Sequence, residues 1–377
     1  MQRDRLTVII AYFAVFWGAG VWMPYFPLYL VDLGYRGWEI GVVIGMQPAL
    51  RWGSAMLWAY AADRWRMRQR LLVVTAFGGA VCFVPLLIVR EFTAVVTVLG
   101  AIGLLHGALI PMLDATVMDH LPRLGGDYGR LRLWGSLAFV CGAVLSAPLI
   151  RLFSARIVPL LLFLPCIPLV PALARLPRDQ SGHGEHFRAP WALLTPPLTA
   201  FLATAFLIQV SCGAWAGFFA VHTARLGFSD AVPGITWGLA VIAEIALLFW
   251  ARQVLEWIAP ARLILLALLV TVVRWGLTAV ARNETVVILL QLGHAFTFSA
   301  FHLAALLLVA RLVPPHSRTG GQALYGSIAF GIGGSIGLAI AGLLVERTGT
   351  SGLFAFEALV AVLGFFPALR LQRLVPT

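Results

Sequence analysis

Leu133-Trp-Gly-Ser-Leu-Ala-Phe139 recurs 191 residues later as Leu324-Tyr-Gly-Ser-Ile-Ala-Phe330. Each copy lies in a long apolar stretch, the fifth such stretch of the chain and the eleventh. A repeat placed this way predicts two equivalent six-helix halves arranged as parallel repeats. The expected fold class is an all-α membrane protein with twelve transmembrane helices in two pseudo-symmetric halves.

Working outward from the repeat, an apolar segment needs about 20 residues to cross ~30 Å of hydrocarbon. Twelve are read, at 7–31, 38–62, 71–89, 93–118, 133–152, 155–175, 196–222, 232–251, 262–281, 284–310, 321–345 and 349–369. The longest polar stretch, Leu176 to Pro190, divides six from six. The predicted organisation is an N-terminal six-helix half over 1–175, a cytoplasmic central loop over 176–195 and a C-terminal six-helix half over 196–377. The first stretch is too long for a signal-peptide core and lacks a small-residue cleavage site, so it reads as the first span.

Composition agrees. Apolar residues make up 60% of the 377 and charged residues 11%, against roughly 45–50% and about 25% in ordinary globular domains. A soluble chain this poor in charge could not cover its own surface. Cys82, Cys141, Cys166 and Cys212 sit far apart in apolar stretches, form no CxxC pair and read as small core residues. The net charge of +11 does not point to nucleic acid, because all 27 basic residues are arginines placed mainly in the short connections. With the N-terminus inside, 18 lie on the cytoplasmic side and seven outside, leaving Arg51 and Arg274 within spans. That bias places both termini in the cytoplasm and the chain in the cytoplasmic (inner) membrane, with the lipid bilayer as its partner. The glycine run Gly331-Ile-Gly-Gly-Ser335 follows no strand, so it reads as a helix-packing surface rather than a phosphate loop.

A charge at a bilayer centre costs on the order of 2.5–3.5 kcal/mol on insertion scales. Arg51, Asp114, Arg132, Glu244, Arg274 and Glu357 therefore need an explanation, with His106, His294, His302, Gln47, Gln209 and Gln291 beside them. They could be structural ion pairs between helices, or they could line a water-filled cavity. His183 and His186 in the central loop lack further ligands and read as solvated, so no metal and no cofactor are expected. A membrane-embedded enzyme would need a nucleophile–base or metal constellation, and none is evident.

At these residues a family resemblance emerges. Asp63-Arg-Trp-Arg-Met-Arg-Gln-Arg70 resembles the loop between helices 2 and 3 of the major facilitator superfamily, with Ala59 where a leading glycine is usual. Asp127-Tyr-Gly-Arg-Leu-Arg-Leu-Trp-Gly-Ser136, Val272-Val-Arg-Trp-Gly276 and Gln291-Leu-Gly-His294 resemble the 3-phenylpropionate permease family, relatives of lactose permease. The likeness runs from the first span to the last.

The resemblance implies that Asp63 and Arg64 lock the inward gate. It matches Asp114 and Arg132 to the sugar-holding acid and arginine of lactose permease. It matches Glu244, Arg274 and His294 to that protein's coupling acid, arginine and histidine. Two positions depart: the proton-carrying glutamate is Thr297 here, and the sugar-stacking tryptophan is Phe139. The first leaves Glu244 as the leading proton carrier, and the second argues against a galactoside.

The expected function is a monomeric proton symporter importing a small solute, an aromatic carboxylate, by alternating access. Asp114, Arg132, Phe139, Trp134 and Arg51 are the expected solute contacts, Arg51 offering a guanidinium fork to the carboxylate. A sugar or nucleoside symporter is the alternative, and a proton-driven drug exporter a further one. Reporters fused after Arg188 and at the C-terminus should read as cytoplasmic, and one after Arg282 as external. An external C-terminus would overturn the twelve-span reading.

Overall fold

The computed structural model describes residues 2–65, 67–107, 109–124, 128–176, 193–314 and 317–375. Regular structure among them is entirely helical. The principal helices are α1 (Gln2–Asp32), α2 (Gly37–Trp65), α3 (Arg68–Phe83), α4 (Phe92–His106), α5 (Leu109–Asp119), α6 (Tyr128–Phe153), α7 (Val158–Phe163), α8 (Cys166–Ala174), α9 (Pro196–Val210), α10 (Gly213–Arg225), α11 (Val232–Phe249), α12 (Ala251–Trp257), α13 (Pro260–Val280), α14 (Glu284–Leu290), α15 (Phe301–Leu312), α16 (Arg318–Gly326), α17 (Gly334–Leu363) and α18 (Phe365–Leu374).

Ten helical stretches among the described residues are long and apolar enough to cross a membrane. The last, Gly320–Leu374, runs for 55 residues and holds two crossings, because Gly349 at φ 66° breaks the helical path inside α17. The 29-residue α2 is also long enough, but Gln47, Arg51, Asp63 and Arg64 interrupt its apolar run. The twelve expected crossings are thus accounted for.

Several spans are less regular than the apolar pattern predicts. The span read at 155–175 is divided into α7 and α8 at Leu164 and Pro165, where the proline contributes no N–H. The span read at 196–222 breaks between α9 and α10. There Ser211 Oγ and Cys212 Sγ both turn back to the Ile208 carbonyl, at 2.7 and 3.2 Å. The tenth span contains a π-helical turn at Ala295–Ala300, and the eleventh another at Ser327–Gly333. The repeated motif is therefore regular α-helix in its first copy and largely π-helix in its second.

The chain divides into two compact units, residues 1–185 with 233–238, and residues 186–232 with 239–377. The expected central loop falls mostly on 177–192, which lie outside the described residues. Each unit closes its first span in the same way. Gly34 at φ 85° lets Tyr35 N–H reach the Leu30 carbonyl at 3.1 Å and its own N–H reach Val31. Gly227 at φ 73° does the same with Phe228 to Thr223 at 3.1 Å and its own N–H to Ala224. These αL caps satisfy carbonyls that a helix end leaves open.

Close helix approach is the other shared device. In the first unit α1 packs along α6, with Gly20 set against the Phe139 carbonyl and Gly142 against that of Trp17. In the second, Gly333 faces the Phe206 carbonyl and Gly337 the backbone of Val210. Gly142 and Gly333 stand at the repeat's own spacing of 191. Missing side chains at equivalent places let each fifth-type helix lie against the first helix of its unit.

A contrast within α1 tests this packing. A Cβ at Gly20 would run into the Phe139 backbone, whereas one at Gly18 meets nothing within 4 Å. Gly20→Ala should cost about 1–3 kcal/mol of stability through overpacking. Gly18→Ala should be neutral or gain up to about 1 kcal/mol from helix propensity. Thermal unfolding of the purified protein in detergent reads the difference, and equal midpoints would rule out a sterically tight α1–α6 seam.

Candidate functional site

Polar and charged side chains inside the apolar helices collect in three places. The first is on α1, α5 and α6. The hydroxyl of Tyr12, itself fully buried, donates to Asp114 Oδ1 at 2.6 Å. Tyr128, at the start of α6, reaches the same two groups. The Arg132 guanidinium lies 3.8 Å from the Phe16 ring centroid and 5.7 Å from that of Tyr12, a cation–π stack. Gly135, one turn along α6, carries no side chain where a Cβ would press on both Arg132 and Phe16. Asp114 and Arg132 thus belong to one cluster, but Tyr12 joins them rather than a direct ion pair.

The second place is a cavity of about 130 Å³ inside the same unit. Arg51, Gln47 and His106 supply its polar wall, and Trp22, Phe83 and Ile102 part of its apolar one. Gln47 Nε2 is committed to the Leu99 carbonyl at 2.6 Å. His106 Nε2 is buried against Gly79 without a hydrogen-bond partner. Among the described residues the Arg51 guanidinium makes no hydrogen bond or ion pair, and Arg51 is one of the residues that line the cavity. Leu109 and Ile110 of α5 also line it, one helical turn before Asp114.

The third place lies on α11, α13 and the tenth span. Arg274 is 2% exposed. It donates twice to Gln291 Oε1, at 2.9 and 2.6 Å, and once to His294 Nδ1 at 3.1 Å. His294 Nε2 stands 2.9 Å from Glu244 Oε1. The indoles of Trp215 and Trp275 flank the guanidinium at 4.5 and 4.1 Å. Gly293, between Gln291 and His294, lets the stem of Arg274 pass close by. The three expected coupling residues, Glu244, Arg274 and His294, are therefore joined in one chain of contacts.

That chain dictates a tautomer. Arginine has donors and no acceptor, so His294 Nδ1 must accept. The proton then sits on Nε2, which donates to Glu244. His294 is a neutral imidazole between a cation and an anion. Thr297, three residues on, is buried and takes the hydroxyl of Thr271 at 3.1 Å. The π-helical turn at 295–300 begins directly after His294, and such turns are frequent at functional sites.

The remaining expected contacts stand apart. Phe139 is buried, its ring 6.2 Å from that of Trp237, which groups with the first unit. Trp134 is 42% exposed. The side chains of Asp63 and Arg64, and His183 and His186, lie outside the described residues. Near the expected gate, Arg68 pairs with Asp119 at 2.6 Å. Sequence reasoning missed Tyr12, Tyr128, Gln291's acceptor role and Asp119, since each looks ordinary in its local pattern.

Comparison with known proteins agrees with this architecture. The family model described as MFS_1 like family matches residues 6–356. The chain is 28% identical to a probable 3-phenylpropionic acid transporter of Escherichia coli (strain K12), covering 97% of both. It is 26% identical to the maltose permease of Geobacillus stearothermophilus, covering 98% of this chain and 95% of that one. The crystal structure of the nucleoside transporter NupG superposes with a TM-score of 0.86 at 16% identity, covering 98% of each chain. Helical architecture, buried charge clusters and a match over nearly the whole length give one result: this chain is a transporter, not an enzyme, and belongs to the MFS_1 like family.

Proposed function

We propose that the protein is a monomeric proton-coupled symporter of the cytoplasmic membrane, with both termini in the cytoplasm. It imports an aromatic monocarboxylate by alternating access. Its halves, 1–175 and 196–377 joined by the loop 176–195, rock about the loaded site, with Asp63 and Arg64 helping to lock the inward side. The observation that carries the coupling is the Glu244–His294–Arg274 chain. A carboxylate held opposite a buried cation stays ionised. When the cation is drawn away in a dry interior, the carboxylate takes up a proton instead. Glu244 is the group in that position, with His294 as the relay that sets its distance from Arg274.

On the solute side, the Arg51 guanidinium, with no partner among the described residues, lines a cavity whose wall also holds Trp22 and Phe83. A carboxylate satisfies its fork, and an apolar ring fits beside Trp22 and Phe83. The Asp114–Tyr12–Arg132 cluster adjoins this cavity through α5, where Ile110 lines it one turn before Asp114, and Asp114, Arg132 and Trp134 are the further solute contacts of this reading. Phe139, whose ring lies 6.2 Å from that of Trp237, completes the set of solute contacts in this reading. The E. coli relative's name, a probable 3-phenylpropionic acid transporter, supports the acid class. The names of the maltose permease and nucleoside transporter relatives favour a second reading, a neutral sugar or nucleoside.

Reconstituted vesicles separate coupling from transport. Glu244→Gln imitates a permanently protonated carboxyl, so it should exchange internal for external solute yet fail to accumulate solute with a proton gradient. Accumulation at the wild-type level in Glu244→Gln would remove Glu244 as the carrier.

Substrate charge is tested at Arg51. Losing a charged hydrogen bond is worth about 1.5–3 kcal/mol. Arg51→Gln should therefore weaken an aromatic acid roughly ten- to hundredfold and leave the matching amide unchanged. An equal loss for both would make Arg51 structural and bring the sugar or nucleoside reading forward.

A further inference from the structure

The second unit contains another acid, one that the Glu244–His294–Arg274 chain does not use. Glu357, on the part of α17 that follows the Gly349 kink, is 2% exposed. Its Oε1 accepts the backbone N–H of Ala214, in the first turn of α10, and lies by that of Trp215. Its Oε2 is buried with no hydrogen-bond partner. No ion pair joins it to a cation among the described residues.

The titratable or charged groups facing it are Arg274 from α13 and Cys212 from the break before α10. His222 of α10 is turned instead to Thr350 Oγ1, at 2.9 Å. The charges around Arg274 are already balanced: one guanidinium, one carboxylate at Glu244 and a histidine that must be neutral. A second ionised carboxylate would leave one buried negative charge uncompensated. The N-terminus of α10 offers only a partial positive charge, and only to Oε1. A neutral carboxyl group removes that uncompensated charge, with Oε1 as the carbonyl oxygen accepting from Ala214 and the proton on Oε2.

We propose that Glu357 is a second proton-binding site of this unit, protonated in the present conformation and linked through Arg274 to the Glu244–His294 pair. The link is steric as well as electrostatic. Trp215, the residue after the N–H that Glu357 accepts, lies over the Arg274 guanidinium. If Glu357 gives up its proton, Arg274 becomes the cation for two acids and its hold on His294 weakens. If Glu244 takes a proton, Arg274 is freed to compensate Glu357. Two acids thus share one arginine, and the proton on one favours the charge on the other. The inference rests on the symport reading only for what this proton is used for.

Infrared spectroscopy of the purified full-length protein in lipid tests the site without any transported solute. The wild type at neutral pH should show the C=O stretch of a protonated carboxyl that Glu357→Gln lacks. Raising the pH should remove that band. In Glu244→Gln it should disappear at a proton concentration at least about tenfold higher than in the wild type, one unit of pH. No difference between wild type and Glu357→Gln would overturn the proposal. So would a band that persists to the highest pH at which the protein stays folded, or one indifferent to Glu244→Gln. If Glu357→Gln does not fold, Glu357→Asp should shift the band, and an unshifted band assigns it elsewhere and overturns the site. Failure of symport would read differently: wild-type vesicles would move no protons with solute, while the band still decides Glu357.

Discussion

Arg274 is buried among apolar helices and can only donate hydrogen bonds, and much of the second unit is arranged around that fact. Its donors need acceptors, which Gln291 and His294 provide from a single turn of the tenth span. Its charge needs a counter-charge, which Glu244 provides through the imidazole. Its flat faces need partners other than water, which Trp215 and Trp275 provide. Its stem needs room, which Gly293 provides. Gln291-Leu-Gly-His294 is thus one local solution to the burial of one cation. A 3₁₀ turn covers Gln291–Gly293, and a π-helical turn begins directly after His294.

Apolar periodicity says nothing about these requirements, and so sequence and structure agree unevenly. The twelve crossings were legible because hydrocarbon thickness sets a length that any long apolar run must meet. The pairing of first and fifth helices was half legible. The repeat showed that two places were equivalent, but not that Gly20, Gly142 and Gly333 are where backbones touch. The broken spans were not legible. Ser211 and Cys212 interrupt a helix by turning back to one carbonyl, a contact invisible in an apolar run.

The candidate site follows the same rule. Charged residues in spans announce themselves by cost, so Asp114, Arg132, Glu244, Arg274 and His294 could be named before their contacts were known. Tyr12 could not. An aromatic residue in an apolar helix reads as core, yet its hydroxyl is what Asp114 binds and its ring part of what Arg132 stacks on. Residue type also left the pairing open. Acid and arginine on neighbouring spans invite a direct ion pair, whereas Arg132 prefers the aromatic faces of α1, where it keeps a cation–π contact.

The two units handle charge in opposite ways, and this difference bears on function more than any single residue does. In the second unit Arg274 donates three hydrogen bonds to side chains of the tenth span and lies between two indoles. In the first unit Arg51 is left with no partner among the described residues, beside a cavity that aromatic side chains line. Burying a cation without a counter-charge is expensive, and the two units meet that cost differently: the second surrounds Arg274 with acceptors of the tenth span, and the first sets Arg51 in a cavity wall beside Gln47 and His106.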